Sequence, residues 1–136
     1  MIEYPKSTDT PVSHLPFSPA TRVGGLIFVS GQASVDATGK IVPDTFEGEM
    51  RRSIMNLAKV LHDAGSDLAH VAQTRNYVRD AEDLPAFNRI YRDYFREPFP
   101  ARTTITNCLS ASLRFEIECI AVVSDSRRPA ATGGTP

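Results

Sequence analysis

The stretch from Leu113 to Val123 most constrains the fold of this chain, because it is apolar on two faces at once. Taken as a β-strand, it places Leu113, Phe115, Ile117, Cys119, Ala121 and Val123 on one face. Ile120 and Val122 make the other face apolar as well. Both faces need burial, yet only two other segments have the spacing of amphipathic helices, and these cover a single face of a sheet. A partner subunit is the simplest cover for the second face, so the sequence predicts an oligomer.

The upstream pattern supplies the rest of the sheet. Leu26-Ile27-Phe28-Val29-Ser30 is a continuous apolar run entered from Gly24-Gly25 and left through Gly31, the signature of a buried strand. Ala37-Thr38-Gly39-Lys40 reads as a hairpin turn, with Ile41-Val42 resuming extended chain. Asp44-Thr45-Phe46-Glu47 reads as a capping box, Asp44 capping and Glu47 reaching back. Behind it Met50, Ile54, Leu57, Ala58 and Leu61 repeat at helical spacing, and Gly65 ends the helix. Residues 71–78 form a second internal strand. Asp83 caps a helix with Leu84, Phe87, Tyr91, Tyr94 and Phe95 on its apolar face, stopped by Pro98 and Pro100. Two strands follow, about 102–109 and 113–124.

Residues 1–15 read as a loop or a short edge strand, and the segment from Asp125 onward as a disordered tail. The expected organisation is one domain over 1–124 and a tail over 125–136, with an α+β sheet carrying two helices on one face.

Composition narrows the function. At 136 residues the chain can bury a core without metal or disulfides. A formal net charge of −1 gives no general attraction to nucleic acid or anionic membranes, and no aromatic-plus-basic stripe is present. No apolar run reaches the length of a membrane span, and the N-terminus lacks the blocks of a signal peptide. Cys108 and Cys119 both fall in strand-like stretches, which fits buried free thiols in a reducing cytoplasm. His14, His62 and His70 are scattered, so no metal is expected. There is no Gly-rich phosphate loop, no Gly-x-Ser-x-Gly and no Cys-x-x-Cys.

Two residues stand out against this background. Arg102 lies at the mouth of one strand, in Pro100-Ala101-Arg102, and Glu116 inside another, in Phe115-Glu116-Ile117-Glu118. A guanidinium grips a carboxylate with two parallel hydrogen bonds, and a half-buried glutamate can handle a water or its proton. Together they suggest a pocket for a small carboxylic acid. The alternatives are that the two pair with each other, or that each faces solvent. Asn88 either anchors a loop beside such a pocket or satisfies helical backbone groups. Ser30-Gly31 either presents backbone to a ligand or merely ends a strand. Glu118 shares a face with Glu116 and reads as solvent-facing; were both buried, one would have a raised pKa.

Five motifs carry a resemblance: Pro16-Phe17-Ser18-Pro19-Ala20, Ile27-Phe28-Val29-Ser30-Gly31-Gln32, Phe87-Asn88-Arg89-Ile90-Tyr91, Pro100-Ala101-Arg102 and Glu116-Ile117-Glu118-Cys119-Ile120-Ala121. In this order and spacing, over about 16–123, the chain resembles the RidA/YjgF family of reactive-intermediate deaminases. The resemblance implies a chorismate-mutase-like fold with a mixed sheet, assembled as a homotrimer with ligand clefts between subunits. It implies imines or enamines of 2-oxo acids, such as 2-aminoacrylate, as substrates. By position, Arg102 would bind the substrate carboxylate and Glu116 would orient the hydrolytic water. No cofactor is implied.

This chain departs from the common pattern at two positions. Phe17 stands where many deaminating members have tyrosine, so it either shapes a drier ligand pocket or is ordinary packing. Thr104 stands where a cysteine is frequent, on the same strand face as Arg102, so its hydroxyl can still line the pocket. The expected activity is hydrolysis of 2-imino or 2-enamino acids to 2-oxo acids and ammonia, by a general scavenger or a specialised catabolic enzyme. The alternatives are a non-catalytic binder of small carboxylates and, against the charge balance, a ribonuclease.

Overall fold

The computed structural model describes residues 1–6 and 13–124. The expectation of a disordered tail over 125–136 lies outside the described residues. Six strands form one sheet: β1 Ile2–Glu3, β2 Ala20–Val23, β3 Leu26–Ala33, β4 Val71–Val78, β5 Ala101–Thr106 and β6 Phe115–Val122, in the order β1-β2-β3-β6-β4-β5. Two helices, α1 Phe46–Ala64 and α2 Leu84–Tyr94, pack on one face. All pairings are antiparallel except β4 with β5, which are parallel and joined through α2, since parallel neighbours need a crossover.

The doubly apolar segment is the central strand β6, flanked by β3 and β4. Its Phe115, Ile117, Cys119 and Ala121 are buried among Met50, Ile54, Leu57 and Leu61 of α1 and Phe87, Ile90 and Tyr91 of α2. Phe115 is the hinge of this packing, with its ring 6.0 Å from both Phe46 and Phe87. On the opposite, open face Leu26, Phe28, Ile105 and Val122 are exposed. Cross-strand register puts Leu26 beside Val122 and Phe28 beside Ile120, so these four form one patch, while Ile105 lies apart on β5 beside Tyr77.

Several local expectations need correction. The cap of α1 is Thr45, whose Oγ1 accepts from Gly48 N, and not Asp44. Asp44 instead accepts from Thr45 N and from Arg52, while the residue reaching back to Asp44 N is Glu49 rather than Glu47. Glu47 faces Arg51 and Arg89. Asp83 precedes α2 but makes no side-chain cap, and Pro85 at the helix start takes over the role of fixing the first turn. Gly65 ends α1 in the left-handed region at φ 95, as the sequence predicted.

β3 does not stop at Gly31. It continues to Ala33 past a break in register with β6 between Val29 and Gln32. β5 and β6 are shorter than expected, and Cys108 lies beyond the end of β5 rather than within it. Asn107 and Leu109 on either side adopt positive φ, so the chain turns there. Both cysteines are free, Cys119 buried and Cys108 half-buried. Among the described residues no helix is long and apolar enough to cross a membrane, and no three His, Cys, Asp or Glu side chains are grouped to hold a metal.

Candidate active site

The chain turns out of α2 through Pro98 and Pro100 and enters β5 with Arg102 as its second residue. Arg102 pairs in register with Thr74 of β4, whose Oγ1 is 2.8 Å from the Tyr91 hydroxyl on α2. That places Arg102 on the helical side of the sheet. Its guanidinium carbon sits 5.0 Å from the ring centres of both Phe87 and Tyr91. Aromatic faces hold the guanidinium by its plane and leave its N–H edge free for an anion. A cavity of about 200 Å³ opens there, lined by Asn88, Tyr91, Arg92, Phe99, Pro100 and Arg102.

Glu116 leaves β6 on the other side. It alternates with buried Phe115 and Ile117 and pairs in register with Tyr77 and Ala33. Its carboxylate lies over the backbone of Gly31, where any side chain would collide with it. Half-burial pushes its carboxyl above the ordinary value, and the nearby Glu118 adds to the rise. Glu118 is not simply solvated: it accepts a 2.5 Å hydrogen bond from the Tyr77 hydroxyl and lies 3.9 Å from Arg75. Tyr77 is correspondingly pushed up to about 12, first by that hydrogen bond and then by burial.

The sequence-predicted residues thus form two groups. Ser30, Gly31, Glu116 and the Phe17 segment belong to the first. Ser30 Oγ donates to Ser18 O at 2.6 Å and Ser30 N to Pro19 O, which ties the segment after Phe17 to β3; the Phe17 ring itself is 52% exposed. Arg102 and Asn88 form the second, at the cavity; Thr104 shares the strand face of Arg102 but is not among the cavity's lining residues. Asn88 lines the cavity, and its side-chain amide donates to Leu84 O within α2, the backbone contact of the second reading. Thr104 Oγ1 is buried without a hydrogen-bond partner, as is the Oδ1 of Asn76, its register neighbour on β4. Within one chain, Arg102 and Glu116 emerge on opposite faces of the sheet and share no pocket.

Sequence reasoning missed Tyr91 and Arg92 as cavity residues, and Tyr77 as the partner of Glu118. Tyr91 was legible only as part of an apolar helix face; that its ring also underlies Arg102 depends on how the β4–α2–β5 crossover closes. The Tyr77–Glu118 bond depends on cross-strand register, which no local pattern prints.

Comparison with known proteins agrees with this architecture. The family profile described as Endoribonuclease L-PSP matches residues 7–123. The protein mmf2, mitochondrial, of Schizosaccharomyces pombe is 41% identical over 110 residues, covering 78% of this chain and 86% of that protein. The 2-iminobutanoate/2-iminopropanoate deaminase of Mus musculus is 35% identical over 118 residues, covering 85% of this chain and 87% of that protein. Among solved structures, Escherichia coli TdcF with bound serine superposes with a TM-score of 0.79 at 26% identity, covering 90% of this chain and 99% of that one. The motifs, the sheet order with its paired helices and these matches agree: the chain belongs to the Endoribonuclease L-PSP family, the RidA/YjgF proteins.

Proposed function

We propose that this protein is an imine/enamine deaminase that hydrolyses 2-imino acids to 2-oxo acids and ammonia. The observation that carries the reading is the state of Arg102. Among the described residues it has no carboxylate partner; it is stacked on two rings and borders an open cavity. Within one chain the two do not pair with each other, and the aromatic stacking and the cavity support an anion-binding role over a merely solvated arginine. A bidentate contact would fix the substrate carboxylate and hold its C2 in place.

Glu116 supplies the second function. A carboxyl with a raised pKa, seated on a glycine that lets it lie flat on the backbone, is suited to orient a water and exchange a proton with it. Water attacks the protonated imine carbon, and the resulting carbinolamine expels ammonia to leave the 2-oxo acid. Glu116 takes a proton from the attacking water and gives it to the nitrogen; as the C–N bond breaks and C=O forms, the hydroxyl proton passes to solvent and ammonia leaves. Among relatives, the murine protein named as a 2-iminobutanoate/2-iminopropanoate deaminase supports this chemistry.

Because the two groups face opposite ways, the reading requires an assembly. A homotrimer in which the open face of one subunit meets the β5 edge of the next unites Arg102 with Glu116 of the partner subunit. The exposed Leu26, Phe28, Ile105 and Val122 support such burial. The test is release of ammonia and 2-oxo acid from 2-iminobutyrate generated in situ by an amino-acid oxidase. Acceleration by the wild type, lost in Arg102→Ala and strongly reduced in Glu116→Gln, is the expected result. No acceleration by a folded, oligomeric wild type overturns the reading.

One feature favours a second reading, a non-catalytic binder of small carboxylates: Phe17 offers no hydroxyl to a ligand or water. Calorimetric binding of 2-oxobutyrate together with a null deamination assay is its signature.

A further inference from the structure

Most of the described arginines lie beside a carboxylate, and two of the exceptions are gathered at one cavity. Of the ten described, seven lie within 4.0 Å of a carboxylate: Arg22, Arg51, Arg52, Arg75, Arg79, Arg89 and Arg114. The three without such a partner among the described residues are Arg92, Arg96 and Arg102. Two of these, Arg92 and Arg102, line the same cavity, which contains no acidic side chain. Arg96 follows at the turn out of α2, beside the adjoining Pro98 and Pro100.

We infer that the Arg102 cavity recognises substrates with two anionic groups, the imines of 2-oxo dicarboxylic acids, with Arg92 receiving the second carboxylate. The inference rests on the deaminase reading for the reaction, but on the cavity alone for the recognition.

The argument is one of charge and shape. Two guanidinium groups at one small cavity, with no carboxylate of their own chain in its lining, set up a positive field that a single substrate carboxylate leaves half satisfied. Arg102 is fixed by its two aromatic neighbours. Arg92, in the last turn of α2, is held by a 3.2 Å hydrogen bond from its NH1 to Asn88 O, which leaves its remaining donors open. The cavity of about 200 Å³ is below the range of about 300–1,000 Å³ that encloses drug-sized ligands, and fits a metabolite of a few carbons. Phe99 and Pro100 add apolar surface to the cavity lining, which suits the methylenes of such a substrate.

Two bland explanations for Arg92 make different predictions. A cation in the last turn of a helix suits the helix dipole, which would affect stability but not the choice of ligand. The other explanation has Arg92 balance Glu116 of the partner subunit, which would affect all substrates equally.

The experiment compares 2-oxoglutarate with 2-oxobutyrate by calorimetry, and 2-iminoglutarate with 2-iminobutyrate in the deamination assay, in wild type, Arg92→Ala and Arg92→Lys. Arg92 is exposed on a helix, so both variants are expected to fold. The wild type should prefer the dicarboxylic member by about tenfold or more, a preference that Arg92→Ala removes and Arg92→Lys partly restores. Binding and its dependence on Arg92 can persist when neither imine is hydrolysed; that outcome supports the inference while defeating the deaminase reading. Equal affinity for the two oxo acids in the wild type overturns it, as does a ratio unchanged in Arg92→Ala.

Discussion

The carboxylate of Glu116 fills the space that a methyl group on Gly31 would occupy, with Oε2 the first atom met. A β-strand glycine is therefore required here by a side chain of the neighbouring strand β6, and not by its own backbone. Gly31→Ala is expected to leave the fold intact while pushing Glu116 off its seat. Displacement of a catalytic group by about 1 Å can cost about 100-fold in rate, so kcat on 2-iminobutyrate should fall by roughly 10–100-fold. A thermal melt within a few degrees of wild type, beside that loss, checks it.

Glu116 also ties stability to pH. Its folded-state carboxyl is raised above the ordinary value near 4.5 by burial and by Glu118, so the folded chain holds the proton more tightly than the unfolded one. Its contribution to stability is therefore fully present below about 4.5 and lost as pH rises through the raised folded value. Glu116→Gln, which never ionises, should melt higher than wild type at neutral pH, with the gap closing in acid. Melting curves of both proteins across that range measure the difference.

The open face makes a separate prediction. Phe28 stands 39% exposed beside Ile120, and Leu26 beside Val122. Phe28→Glu places a charge in the middle of this patch, where burial against another subunit is disfavoured. Light scattering should show the mass falling to that of one chain, with secondary structure retained. Deamination should fall with it, because neither face alone contains both Arg102 and Glu116.

At the start of α1, Thr45→Ala removes the acceptor for Gly48 N and should cost about 1 kcal/mol by chemical denaturation. Were Asp44 the cap, that substitution would be nearly silent.

The same helix start shows where the sequence was legible and where it was not. Asp44 and Thr45 are both good caps on paper, and only the path of the backbone decides between them; Asp44 is instead engaged by Arg52 and by its neighbour's N–H. The helices themselves were readable because Met50, Ile54, Leu57 and Leu61 repeat at a period that only a helix buries on one side. β6 was readable as a strand with two faces to cover for the same reason. Strand order was not readable, since the placement of β6 between β3 and β4 rests on pairings across most of the chain. Nor was the separation of Arg102 from Glu116: their sequence motifs reveal residue type and strand, but the face each takes depends on register within a sheet that mixes parallel and antiparallel neighbours.

The two groups of site residues differ in how the gene encodes them. Asn88, Arg92, Phe99, Pro100 and Arg102 follow one another along a single short passage from helix to strand. Gly31 and Glu116 are far apart in the chain and meet only through the pairing of β3 with β6, with the Phe17 segment tied to β3 through Ser30. Substitutions in the short passage can therefore retune what is held without disturbing the sheet. A slip of one residue between β3 and β6, by contrast, would turn Glu116 to the wrong side. On the proposed reading, ligand choice in this scaffold is a local trait, open to change one residue at a time, whereas the seat of Glu116 is inherited with the topology as a whole.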